Sequence, residues 1–204
     1  MVVENTVSSI SVNATAVAAT STITGTGTKK LSVGTNTINV KCKSGSGSTR
    51  TYKLTVVRKE AAKPTGTLSS AKYTVGDKYI TGIVPGTRAT DFLAGLSVDG
   101  GTAKLVGTDG KQNQGLAATG NKVKVYVNNK KKTSYKVVIY GDVNGDGEIN
   151  VLDMIKVNRH ILGLDKLSGT YLVAADANHK GDGLNVLDMI YINRHALGLS
   201  TIKQ

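Results

Sequence analysis

The sequence has no tryptophan, one phenylalanine, one cysteine and two prolines among its 204 residues. A lone cysteine excludes an intrachain disulfide, and Cys42, within TINVKCKSG, reads as a small buried or half-buried strand residue. Scarce aromatics exclude one large aromatic core, while abundant Gly, Thr, Ser and Val point to short strands and many turns. No apolar run approaches the ~20 residues of a membrane-spanning helix, so no membrane insertion is expected. No charged-then-apolar leader follows Met1, and the chain opens in a strand-like run, VVENTVSSISV. We therefore expect it to be the C-terminal piece of a larger protein. The sequence also lacks G-x-S-x-G, H-E-x-x-H and a phosphate-binding loop, and no enzymatic activity is expected of it.

Acidic charge is scarce in most of the chain. Residues 1–60 carry 8 Lys/Arg against 2 acids, residues 61–140 carry 12 against 4, and residues 141–204 carry 6 against 8. The formal net charge of +12 therefore lies outside the last third. Such a surface suits nucleic acid or anionic wall polymer. The lysines are scattered along β-like segments, apart from Lys130, Lys131 and Lys132 in the turn-like NNKKKTS, so they read first as a solvated face and no nucleic acid partner is expected.

Three modules are expected: an all-β sandwich over 1–62, a small α+β module of grasp-like pattern over 65–140, and an all-α module over 141–204. In the first, SSISVNAT, STITGT, KKLSVG, NTINVKCK and TRTYKLTVV alternate and are separated by Gly and Ser, as in an antiparallel sandwich. L-x-x-G-x-N-T-I-x-V (Leu31 to Val40) and T-Y-K-L-T-V-V-R (Thr51 to Arg58) resemble the cadherin-like β-sandwich domains of bacterial surface proteins. That resemblance implies a spacer, with the family's first strand or strands missing here. KEAAKPTG, around Pro64, reads as a linker. In TRATDFLAGL, Thr87 or Thr90 can cap a short helix with Phe92, Leu93 and Leu96 on one face. TAKLVGTDG, KVKVYVNN and SYKVVIYGDV read as further strands.

The last third is duplicated. D-V-N-G-D-G-E-I-N-V-L-D, from Asp142 to Asp153, has the spacing of an EF-hand calcium loop with a shorter terminal acid. Asp142, Asn144 and Asp146 would offer side-chain oxygens, Glu148 its carbonyl and Asp153 a bidentate carboxylate; Gly147 allows the turn, and Asn150 acts through water. Carboxylates held so close repel one another without a cation, which couples metal binding to folding. The second loop, Asp176 to Asp188, is one residue longer. Asp176, Asn178 and Asp188 keep their roles, Asp182 is chosen as the central carboxylate because Lys180 stands where strict counting wants an acid, and Gly183 or Leu184 gives the carbonyl. Two Ca²⁺ ions are thus expected. His160, His179 and His195 lack a second soft ligand at metal spacing and read as surface or packing residues.

From Asn150 to Leu164 and from Asn185 to Leu199, twelve of fifteen positions are identical, the exceptions being Lys156/Tyr191, Val157/Ile192 and Ile161/Ala196. Helical spacing assigns Met154, Val157 and Ile161, and Met189, Ile192 and Ala196, inward, with Ile149 and Leu184 pairing between the loops. A second line runs through Leu152, Ile155, Arg159 and Leu162, and through Leu187, Ile190, Arg194 and Leu197. A unit this small cannot bury both stripes of both helices, so the second is expected outward, edged by Asn158 and Asn193. The competing possibility is that this stripe packs on the preceding module or on a helix around Leu167 to Leu172.

At these residues the chain resembles a dockerin, over Gly141 to about Leu199. The resemblance implies calcium-dependent binding to a cohesin on a scaffold or surface protein of polysaccharide-degrading bacteria, and hence a secreted, cell-surface location. It also implies a recognition role for Val151 and Leu152, and for Val186 and Leu187, together with the helices that follow; an apolar pair stands where some dockerins carry hydroxyls. Near-identity of the copies implies two binding orientations related by a half-turn. The module is expected to be monomeric without its partner and to attach a larger carbohydrate-active or adhesive protein. The alternative function is a wall- or glycan-binding fragment in which the calcium unit is only structural.

Overall fold

Short alternating segments become short strands because few of them carry enough apolar residues to be buried on both faces. The computed structural model describes residues 1–204 and divides into two units, Met1–Lys63 and Pro64–Gln204. The first holds β1 (Val2–Val3), β2 (Ser9–Val12), β3 (Thr22–Thr24), β4 (Gly27–Lys30), β5 (Gly34–Lys43) and β6 (Thr49–Arg58). One sheet runs β1-β6-β5-β3, and β2 pairs with β4 in a second. Between them lies a small core of Val3, Val12, Leu31, Ile38, Val40 and Val56.

Two features of the repeating pattern acquire a cause here. The Asn36 amide donates to the Ser32 and Gly34 carbonyls and its oxygen accepts the Ser32 N–H, closing the turn that launches β5. Arg58 ends β6 by donating to the carbonyls of Asn5 and Leu31, tying three segments to one guanidinium. The expected purely antiparallel pairing is corrected at one edge, where β1 runs parallel to β6, with Val2 opposite Val57. Main-chain bonds and the Arg58 anchor at its end hold this two-residue strand. Cys42 lies half-buried on β5.

The second unit begins with β7 (Leu68–Ser69), β8 (Thr74–Val75), β9 (Tyr79–Thr81), α1 (Ala89–Ala94), β10 (Ser97–Val98), β11 (Thr102–Val106), β12 (Lys122–Val127) and β13 (Lys130–Val137). It continues with α2 (Val151–Ile161), α3 (Gly169–Ala175) and α4 (Val186–Ala196). A mixed sheet runs β11-β12-β13-β9-β8, parallel only between β13 and β9. Strict alternation in β12 turns Val123, Val125 and Val127 inward and Lys122, Lys124 and Tyr126 outward.

Several expectations are corrected. Lys130, Lys131 and Lys132 belong to β13 rather than to a turn. The turn is Asn128-Asn129 alone, with φ of 50° and 60°, because a two-residue hairpin loop takes left-handed residues that Asn tolerates. Neither Thr87 nor Thr90 caps α1; Arg88 is its N-cap without a side-chain bond, and the Thr87 hydroxyl donates to the Val84 carbonyl. Phe92 is buried, and Leu93 and Leu96 pack against the same core. The intervening helix is α3, beginning two residues later than Leu167. The chain shows no break in packing at 140/141. Val143, Ile149, Val157, Ala177, Ile192 and Ile202 share one core with Ile80, Val125, Val137 and Ile139. No helix is long and apolar enough to cross a membrane.

Candidate metal centre and partner face

The loop from Asp142 to Asp153 closes on itself through short-range bonds that its Asp and Asn side chains favour. Asp142 Oδ1 accepts from Gly145 N at 2.7 Å, and Oδ2 accepts from Gly147 N at 3.1 Å and Thr119 N at 2.8 Å. Asn144 Oδ1 accepts from Asp146 N, while Asp146 accepts from Glu148 N and from the Asn144 amide. At the far end Asp153 Oδ1 takes the N–H groups of Val143 and Asn144, and Oδ2 takes that of Asn150. Asn150 in turn caps α2 by accepting from Leu152 N, so the last acid of the loop also fastens the first turn of the helix.

Asp142 and Asp153 are wholly buried. Burial pushes the Asp142 carboxyl up to about 6, against the pull of the Thr119 and Gly145 N–H groups, and the negative Asp153 and Asp146 add to the rise. Burial likewise raises Asp153, opposed by the N–H groups of Asn150, Asn144 and Val143, with Asp146 again adding to the rise. Both shifts have one meaning: the fold gathers negative charge where water cannot compensate it. A divalent cation would.

The donors fit a hard ion, being carboxylates, one amide oxygen and a main-chain carbonyl, with no nitrogen or sulfur ligand. No three His, Cys, Asp or Glu side chains cluster tightly enough to hold a metal by themselves, so amide and carbonyl oxygens belong to any such set. The preceding segment packs hard against this loop. A Cβ on Gly147 would stand 2.7 Å from the Ala117 carbonyl, and one on Gly145 would stand 2.9 Å from that of Thr119. Gly86 N donates to the Gly147 carbonyl at 2.8 Å.

The second loop repeats the frame and changes its contents. Asp176 Oδ2 accepts from Gly181 N at 3.1 Å, as Asp142 does from Gly147, and Asn178 Oδ1 accepts from Lys180 N, as Asn144 does from Asp146. His179 takes φ 58° where Gly145 takes 80°. These bonds put Lys180, not Asp182, at the counterpart of Asp146, and the extra residue falls after Gly181. Asp182, chosen as the central carboxylate because Lys180 holds that register, lies past the insertion, where its Oδ1 and the Gly183 carbonyl both accept from the Asn185 amide. Asp188 accepts from Asn178 N and Asn185 N and caps α4 as Asp153 caps α2. Asp176 Oδ1 is buried without any hydrogen-bond partner, as is the Asn178 amide nitrogen. A buried, unpartnered carboxylate oxygen aimed into an acid-rich loop fits a cation there too.

Helices α2 and α4 pack against each other, with Val157 and Ile192 fully buried and Met154 and Met189 partly so. Ile161 and Ala196, expected inward, are exposed because the final turn runs past the end of this core. The other stripe is open. Leu152 is 55 % and Leu162 62 % exposed, and Leu187 and Leu197 are 45 % and 64 % exposed. Val151, Ile155, Val186 and Ile190 are exposed as well, as are Asn158, Arg159, Asn193 and Arg194. Neither the preceding module nor α3 covers this ridge.

One pair of residues was missed. His160 Nδ1 accepts from Leu167 N at 2.9 Å, and His195 Nδ1 accepts from Ile202 N at 3.1 Å. Each histidine pins the chain that leaves its helix. The signal was present in the sequence, since both copies place His seven residues before a core-seeking Leu or Ile, but the bond itself is tertiary.

The dockerin type I domain family matches residues 140–198, which takes in both loops and all three helices α2 to α4. No curated protein matches the chain. Residues 140–198 are thus similar to a dockerin type I domain; type I dockerins bind calcium, and dockerin domains bind cohesin domains.

Proposed function

We infer that the dockerin of this chain carries two calcium ions and docks a cohesin through the paired outer ridges of α2 and α4. Asp142, Asn144, Asp146, Asp153 and the Glu148 carbonyl would hold the first ion. Asp176, Asn178, Asp188 and oxygens near Asp182 and Gly183 would hold the second. Bound there, the ion supplies the positive charge that lets buried carboxylates stay ionised.

The chain's own residues do the rest. Asp153 and Asp188 link each loop to the first turn of its helix, so closing the loop sets the helix, and Val157 against Ile192 fixes the two helices as a pair. The observation that carries the reading is the exposure of one apolar line, repeated residue for residue on both helices with an arginine in each. Desolvating such a line against a matching surface, with Arg159 or Arg194 as anchor, is how a small interface gains affinity. The attached protein would be an extracellular carbohydrate-active or adhesive one, with residues 1–139 acting as non-catalytic spacers and the whole monomeric until docked.

The test is calorimetric titration of the chain with a panel of cohesins, with calcium and with chelator. Binding to at least one cohesin in calcium, abolished by chelator, is the expected result. No binding to any of them in calcium, or equal binding in chelator, would reject it.

A further inference from the structure

The outer face of the five-stranded sheet carries a cluster of lysines that cohesin docking does not use. Lys122 stands directly opposite Lys136 across β12 and β13, and Lys104 stands opposite Lys124 across β11 and β12. An irregularity at Val125/Tyr126 skips Lys132 and sets Lys131 opposite Tyr126. Lys136 pairs in turn with Tyr79 on β9, which follows Lys78. Together Lys78, Tyr79, Lys122, Lys124, Lys131 and Lys136 line a concavity of about 500 Å³ in which Asp77 is the only acid.

Like charges placed directly across a ladder destabilise a sheet, and here two such pairs lie on adjacent strands. No carboxylate answers them: the only ion pair in the chain joins Lys59 to Glu4, in the other unit. The inner side of the same strands, Val123, Val125, Val137 and Ile80, is wholly buried, so the lysines are held at fixed strand spacing on a rigid support. Rows of lysines on strands ~4.8 Å apart meet a ligand with repeated negative charge better than a single small anion.

We propose that this face binds an acidic polysaccharide, a linear chain of sugars bearing repeated carboxylates, with Lys122, Lys124, Lys131 and Lys136 as its charge contacts and the half-buried Tyr79 ring beneath a sugar. Nucleic acid fits less well. The face has no arginine to fork onto phosphate, and of its two tyrosines the Tyr126 ring already lies under Lys104 Nζ at 5.5 Å from its centroid, which leaves Tyr79 alone rather than a row of stacking rings. The proposal does not depend on calcium or on cohesin.

Affinity electrophoresis of the full chain through short oligogalacturonides, with their methyl-esterified form as a neutral match and single-stranded DNA as a competitor, tests it. The expected result is retardation by the acidic form only, weakening as salt rises, and reduced about tenfold in K122Q/K124Q/K131Q/K136Q. A control variant losing the same charge elsewhere, K29Q/K30Q/K41Q/K53Q, should be retarded like the parent. Melting temperature separates loss of binding from loss of fold; the face variant should melt no lower than the parent, because repulsion has been removed. Equal retardation by the esterified form, equal loss in the control variant, or tighter binding to DNA at physiological salt would each overturn the proposal.

Discussion

The two loop–helix copies differ most in their loops and least along one exposed stripe of the helices that follow. Loop one is embedded: Asp142 accepts from Thr119, Gly147 from Gly86, and neither Gly145 nor Gly147 has room for a side chain. Loop two replaces Gly145 with His179 and Asp146 with Lys180, and leaves an Asp176 oxygen unpartnered. Yet the helices after them agree at twelve of fifteen positions, and the exposed stripe agrees at every one. Folding alone does not explain why the outward stripe matches throughout, because two of the three differing pairs, Lys156/Tyr191 and Ile161/Ala196, lie outside the buried seam, so positions there can change without loss of the fold. A requirement shared by both outer ridges does explain it.

The comparison breaks most visibly at the ridges. If either helix can dock, L152A or L187A alone should weaken cohesin binding by about twofold, because the other copy substitutes, whereas L152A/L187A together should weaken it by about 30-fold, the scale of losing one hot-spot side chain in each orientation. Calorimetry with a cohesin that binds the chain in calcium reads this, and a single variant as damaging as the double would mean that one orientation does all the binding.

Removing the first acid of each loop comes next. D142A strands the Thr119, Gly145 and Gly147 N–H groups in the interior, at about 1–3 kcal/mol for a buried unsatisfied group, and takes away the first ion's anchor. D176A strands only the Gly181 N–H, at the protein's rim. The melting temperature in calcium should therefore fall further for D142A than for D176A, and D142A should also loosen residues 86 and 117–119 in hydrogen exchange. Equal losses would show that the preceding segment does not brace the first loop.

The sequence exposes these matters unevenly. Loop spacing, capping acids and helical stripes are local patterns, so Asp142 to Asp153 and the ridges could be read before any fold was known. What stayed hidden is tertiary. Nothing in residues 116–120 announces that their backbone closes against the loop from Asp142 to Asp153, and no periodicity tells that residues 64–204 share a core. In the second loop counting shows that one residue is extra but not where; the bond from Gly181 N to Asp176 places the insertion after Gly181. Lys130 to Lys132 looked like a turn because their neighbours Asn128 and Asn129 are one.

Lys180 offers a way to sharpen the difference between the loops. It holds the register at which the first copy has Asp146, so K180D should raise the calcium affinity of the second site by about tenfold, one full charge reversal beside a divalent ion screened by water. Titration should then show two sites of closer affinity than in the parent. An unchanged second constant would mean that the side chain at 180 turns away from the ion.

The smallest expected effect is on pH, and it separates the copies by sign. Asp142 is pushed up to about 6 in the metal-free fold from an ordinary 3.8, chiefly by burial, so without calcium its contribution favours the fold at low pH and is lost as pH rises through about 6. With calcium the direction reverses, because the ion must displace a proton: first-site affinity should drop by at most about tenfold per pH unit below 6. His195 is lowered from 6.5 by burial and must be neutral to accept the Ile202 N–H, so its contribution is complete above 6.5 and falls away as pH drops below it. Melting curves from pH 7.5 to 5 in chelator should accordingly show H195Q, which keeps an acceptor without a titrating ring, losing less stability with acid than the parent. D142N, whose amide does not titrate, should lack the parent's low-pH gain. Parallel pH profiles for all three proteins would mean that neither group is linked to folding.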